Sequence, residues 1–133
     1  MRRADWPERL EAVLDRYAAG TFVRGRRDCL TLCLDVVRAL TGERLFPGQR
    51  GYRTRAEAVR RGKALGFETL ADACASVLRE VHPVEAHRGD IVIIMDGEDE
   101  AGAVCTGADL VSMGAAGMWR LPRSHAVRAF RVG

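Results

Sequence analysis

The segment Cys29–Leu40 constrains this fold most. Leu30, Leu32, Cys33, Leu34, Val36, Val37 and Leu40 leave few of its positions polar. Residue types and spacing predict a helix with Asp28 as N-cap and Gly42 as its stop. A helix apolar nearly all round has to be covered on nearly every side, so it is central rather than peripheral. The rest of the chain must supply the cover. Asp35 is the odd residue: within an apolar helix its carboxylate must face water, Arg38 or a partner.

The covering elements are readable in order. Pro7–Ala19 predicts a helix, with Asp5 or Trp6 before it, Gly20 ending it and Leu10, Val13, Leu14 and Tyr17 as its buried stripe. Residues 43–53 form a Gly/Pro-containing loop. Thr54-Arg55-Ala56-Glu57 reads as a capping box opening a third helix that Gly66 closes, and Thr69 to about Val81 predicts a fourth. Beyond Gly89-Asp90 the periodicity changes. Ile91–Met95 is a continuous apolar run, consistent with a buried strand. The acidic stretch Asp96–Glu100 reads as a hairpin loop, and Ala101–Thr106, Leu110–Met113, Met118–Leu121 and Ala126–Val132 as short strands between Gly-containing turns. Helices first and strands second predict an α+β class, as one domain over residues 1–133. Its helical half spans about residues 5–82 and its antiparallel strands about 90–132.

Composition removes several function classes. Apolar residues make up 47% and charged residues 29%, a balance that excludes disorder and fibrous repeats for the whole. The longest purely apolar run, Ile91–Met95, falls far short of the roughly 20 residues of a spanning helix. The first seven residues hold no apolar signal segment, so the expected site of synthesis and residence is the cytoplasm, with Cys29, Cys33, Cys74 and Cys105 reduced. Their spacings match no zinc module, and no metal or other cofactor is expected.

Net charge is +3, unevenly spread. Residues 24–63 carry eleven basic and four acidic groups, whereas residues 64–133 carry six basic and ten acidic. Arg24, Arg26, Arg27 and Arg53, with Tyr52 in the same loop region, form a candidate docking surface. No aromatic residues interleave with the arginines as stacking platforms, and the net charge is too small for non-specific hold on nucleic acid, so a nucleic-acid partner is not expected.

Asp28-Cys29 carries the clearest chemistry. A cysteine in the first turn of a helix feels free backbone N–H groups and the positive end of the macrodipole. Both favour thiolate, and Arg26 and Arg27 just upstream push the same way. Cys29 is therefore a candidate nucleophile, with Asp28 as N-cap and orienting group; the plain alternative is a small buried hydrophobe at a helix start. A nucleophile also needs a base.

Gly20-Thr21-Phe22-Val23-Arg24-Gly25-Arg26-Arg27-Asp28-Cys29-Leu30 resembles the nucleophile segment of the NlpC-type papain-like cell-wall hydrolases, roughly G-x-P-[FY]-x-x-G-x-x-D-C-x-x-[FL]. Gly89-Asp90-Ile91-Val92 matches their G-D-[IVL]-[IV] strand, and Ala101–Gly107 sits where their H-x-G-[IV]-x-x-G strand belongs. The likeness spans about residues 20–113. Trp6-Pro7-Glu8-Arg9-Leu10, and Asp28-Cys29 through Asp35, Val37, Thr41 and Gly42, look closer still to a small group encoded in phages and prophages among tail-assembly genes. The resemblance implies a papain-like domain with helices packed on a small antiparallel sheet.

The departure falls on the base. The family's His position aligns with Ala101, and the third polar position lies on Leu110–Met113, where Ser112 alone could serve. Among the remaining histidines His87 is the best replacement base, His125 the second, and His82 a loop residue at the end of the fourth helix. Two functions follow. One is a phage or prophage tail-associated structural protein on a degenerate peptidase fold, docking to other tail proteins through its basic block and acidic loop and passing from the host cytoplasm into the virion. The other is an active cysteine amidase or endopeptidase cutting peptidoglycan peptides with Cys29 and a relocated His.

Overall fold

Asp28 starts the central helix by a reciprocal cap. The Thr31 backbone N–H donates to Asp28 Oδ1 at 2.9 Å, and Thr31 Oγ1 accepts from the Asp28 N–H at 2.9 Å. Gly42, left-handed at φ 82, ends the helix. The computed structural model describes residues 1–133 and places four helices before and beside one sheet: α1 (Trp6–Ala19), α2 (Cys29–Thr41), α3 (Arg55–Ala64) and α4 (Leu70–Val77). The strands are β1 (Arg79–Val81), β2 (Ile91–Asp96), β3 (Asp99–Cys105), β4 (Leu110–Gly114), β5 (Gly117–Leu121) and β6 (Arg128–Arg131). All pair antiparallel in the order β1-β6-β2-β3-β4-β5. The protein is a single α+β domain.

The sheet has two buried faces. Ile91, Val104 and Val111 occupy one and pack with Leu32, Cys33, Val36, Val37 and Leu40 of α2 and the Leu10–Tyr17 stripe of α1. Val92, Ile94, Ala101, Ala103, Cys105, Leu110 and Ala129 occupy the other, closed by Ala86, Ala126 and Trp119. Both faces exclude water, so β2 is apolar along its length instead of alternating.

Three elements differ from the sequence expectation. The fourth helix stops at Val77, because Leu78 is extended and Arg79–Val81 pair with β6. Glu80 there accepts two hydrogen bonds from Arg128, at 2.7 and 2.8 Å. The acidic stretch is mostly strand: Asp96 pairs with Asp99, leaving Gly97-Glu98 as a two-residue turn with Gly97 at φ 65. The last strand begins at Arg128, because a 3₁₀ turn over Arg123–His125 uses up the residues before it.

Asp90, read from sequence as part of a turn, ties the chain ends together. Its buried carboxylate accepts from Arg2 Nη2 (2.9 Å), Arg131 Nε (2.9 Å) and the backbone N–H groups of His87 (2.8 Å) and Val132 (3.0 Å). Arg2 also donates to the carbonyls of Val132 and Arg88. Gly89, at φ 93, lets this turn pass against Leu40; a Cβ there would lie 2.8 Å from Leu40 Cδ2.

Candidate functional site

The loop before α2 and the loop before α3 meet on Asp28. Its carboxylate is 2% exposed. Besides the cap, Oδ2 accepts from the Gly25 N–H at 2.8 Å and from the Tyr52 hydroxyl at 2.6 Å. Gly25, at φ 81, lets the two loops touch: a Cβ would sit 2.1 Å from the Tyr52 carbonyl oxygen. The Gly51 N–H donates to the Gly25 carbonyl at 3.0 Å. Tyr52 is therefore not on a docking surface. It is 3% exposed, because a buried carboxylate needs donors and its hydroxyl is one of three. Burial, then the bond to Asp28, push its hydroxyl pKa well up.

Cys29 follows at the first position of α2 and is half-buried. It lines a cavity of about 200 Å³ bounded by α2, α3, α4, the 43–53 loop and the β2–β3 face. Cys33 and Cys74 line the same cavity. The sheet approaches α2 closely at Gly102, where a Cβ would meet Cys33 Sγ at 2.8 Å and the Cys29 carbonyl oxygen at 3.4 Å.

The electrostatics differ from the sequence expectation. Burial pushes the Cys29 thiol up, and this outweighs a hydrogen bond from the Gly102 backbone and the pull of Arg55 and Arg24. Burial raises Cys33 well above its ordinary value too, and pushes Cys74 up to about 12. Desolvation at this position works against the helix start, which on its own would lower the thiol pKa.

No histidine lines this cavity. His87 is exposed in the turn before β2, where its backbone serves Asp90. That turn is bonded to Cys105 of β3, the Gly89 N–H donating to the Cys105 carbonyl at 2.7 Å. His87 does not line the cavity that Cys29 lines. His125 is exposed in the 3₁₀ turn before β6. His82 caps the 3₁₀ turn Pro83–Glu85, its Nδ1 accepting from the Val84 N–H at 3.2 Å. Ala101 belongs to the apolar cluster on the other face of the sheet, against which Cys29 also packs. Strand alternation puts Glu100 and Gly102 on the cavity side instead. Ser112 serves the backbone, donating to the Gly102 carbonyl at 2.7 Å just beyond the point where β3–β4 pairing stops.

The arginines divide into used and free. Arg50 and Arg16 pair with Asp35, which also accepts from the Tyr17 hydroxyl at 2.6 Å; Arg38 takes no part. Arg61 pairs with Glu57. Arg55 reaches Asp99 at 3.6 Å and donates to the Glu100 carbonyl, so the basic block and the acidic hairpin partly satisfy each other. Arg27 donates to the Thr21 carbonyl. Arg24, Arg26 and Arg53 make no ion pair, and Arg24 lies over the Phe22 ring at 4.9 Å.

Sequence reasoning missed the cavity and the place of Glu100 and Cys74 in it, because its walls come from three helices, a loop and two strands. No cluster of three or more His, Cys, Asp or Glu is gathered to hold a metal ion. No helix is long and apolar enough to cross a membrane. Residues 1–132 match the family model of a domain of unknown function, DUF6950, and the chain belongs to that family. No curated protein matches the sequence.

Proposed function

We propose that this chain is a non-catalytic assembly protein of a phage or prophage tail, built on a papain-like, NlpC-type domain that keeps its cysteine as a packed residue. The observation that carries the non-catalytic reading is the surroundings of Cys29. Burial pushes the thiol up, and no imidazole lines its cavity. A missing general base forfeits a factor of typically ~10²–10⁴. Asp28 and Ser112 are fully engaged in holding loops and backbone.

The papain-like reading is supported by a central helix that opens with a cysteine and packs against an antiparallel sheet at a strand glycine. The tail reading is supported by the resemblance of the Trp6–Leu10 and Asp28–Gly42 segments to small phage-encoded proteins. Docking is left to cations without an ion pair, among them Arg26 and Arg53 of the basic block, through complementary charge on another tail protein.

Alkylation of the four cysteines, followed by mass spectrometry across pH on the folded protein, tests the non-catalytic core of this reading. Cys29 is expected to react slowly, with a rate that rises only above the free-thiol range near ~8.5. Fast modification of Cys29 well below that range would overturn the reading and favour a cysteine amidase or endopeptidase.

A further inference from the structure

The cavity holding Cys29 has more apolar wall than a packed helix start requires. Nineteen of its 29 lining residues are hydrophobic. Three of them, Val59, Leu65 and Val77, are 40–48% exposed, so α3 and α4 hold apolar side chains at an opening. No residue of α3 is buried. The helix is tied down near its ends by Arg55 to the Glu100 carbonyl and Arg61 to the Arg50 carbonyl. Such a helix can shift without disturbing the core. One wall is strained: Phe46 holds φ 49, which is costly for a bulky residue, and its ring meets Phe67 edge to face at 5.6 Å.

Among the cations lining this cavity, one has no protein partner. Arg24 lines it, is half-buried and makes no hydrogen bond or ion pair within the chain. Arg55 and Arg61 line it too, but each is tied to protein oxygens. The carboxylates of Glu68 and Glu100 also line the cavity without an ion pair, yet neither pairs with Arg24, and Asp28 is saturated by its own donors. The inner wall, which includes Val37, Leu70, Leu78, Ile91 and Ile93, is hydrocarbon. A peptide inserted there would leave its amide groups unpaired, whereas an alkyl chain has none to satisfy. A guanidinium fork suits a carboxylate.

We infer that this cavity binds one long-chain carboxylate, with its alkyl chain against the α2, α4 and β2 walls and its carboxylate on the guanidinium of Arg24. The space of about 200 Å³ suits a single chain. This inference is independent of the tail-assembly reading.

Calorimetric titration with dodecanoate, below its micelle-forming concentration, tests it. Dodecanol and dodecyl phosphate run alongside as neutral and doubly charged heads. Saturable binding of one dodecanoate per chain is expected. Arg24→Gln should weaken dodecanoate about tenfold and leave dodecanol unchanged. Ala58→Phe, which fills the cavity from the exposed helix α3, should abolish binding of both, with circular dichroism confirming that the variant is folded. Bound dodecanoate should also protect Cys74 from alkylation, a readout that does not depend on Cys29. Absence of saturable binding overturns the inference. So does binding that survives Ala58→Phe, an Arg24→Gln effect equal for acid and alcohol, or tighter binding of dodecyl phosphate than of dodecanoate.

Discussion

Two buried aspartates organise this domain, and their partners differ in kind. Asp28 accepts only from neutral groups: the N–H of Gly25, the N–H of Thr31 and the hydroxyl of Tyr52. Asp90 accepts from two guanidiniums, Arg2 and Arg131, and from two backbone N–H groups. The first gathers two loops around a helix start beside the cavity. The second joins the two ends of the chain to the start of β2, an inner strand of the sheet. One carboxylate shapes a local site and the other fastens the whole fold, so they are expected to fail differently.

Asp90→Ala is the largest expected effect. It leaves Arg2 and Arg131, whose side chains are only 15% and 18% exposed, without their counter-ion. Removing one partner of a buried pair costs ~3–5 kcal/mol. Asp90→Asn should recover little of this. Each Asp90 oxygen accepts from one arginine and one backbone N–H, so whichever becomes the amide nitrogen meets two donors that cannot reverse. Urea unfolding of both variants measures the losses. A cost near zero for Asp90→Asn would show that the guanidiniums reach water instead.

Asp28→Ala comes next, at about 2–3 kcal/mol from a lost N-cap and a buried hydroxyl left without an acceptor. Here the amide should be gentler than at position 90. In Asp28→Asn the side-chain carbonyl oxygen would still take the Thr31 N–H, and the Tyr52 hydroxyl can turn to accept where it now donates, leaving the Gly25 N–H as the one conflict. The comparison breaks if Asn is tolerated equally well, or equally badly, at both positions.

The contrast was only half legible in the sequence. The Asp28–Thr31 cap spans three residues, so local residue types expose it. The Tyr52 clamp depends on a loop folding back 24 residues later, and a lone tyrosine among arginines reads instead as surface. Asp90 reads as a turn because its turn bond to the His87 N–H is local, whereas Arg2 and Arg131 lie 88 and 41 residues away. The same distance rule explains the fourth helix. Arg79–Val81 has a helical neighbourhood in sequence but pairs with the last strand. Alternation along β3 was readable in principle. The pleat gives the cavity side to Glu100 and Gly102 and puts Ala101 in the apolar cluster of the other face, against which Cys29 also packs.

Alkaline pH separates the two aspartates with the smallest perturbation. Around Asp28 the protonated groups are acids. The Tyr52 hydroxyl and the Cys29 thiol are both raised by burial, and Cys74, across the same cavity, is pushed up to about 12. A group whose pKa is higher folded than unfolded stabilises fully below its unfolded value and loses that contribution as pH rises toward the folded one. Unfolded thiols and phenols titrate near ~8.5 and ~10, so stability should fall progressively above about pH 8.5. The donors around Asp90 include neither a thiol nor a phenol. Tyr52→Phe, costing about 1 kcal/mol at neutral pH for one hydrogen bond, should therefore flatten the decline above about pH 10. Asp90→Asn should instead lower the whole curve with its slope unchanged. Denaturant unfolding from neutral to alkaline pH reads both. An unchanged slope in Tyr52→Phe would mean that the hydroxyl is not held by Asp28 in the folded state.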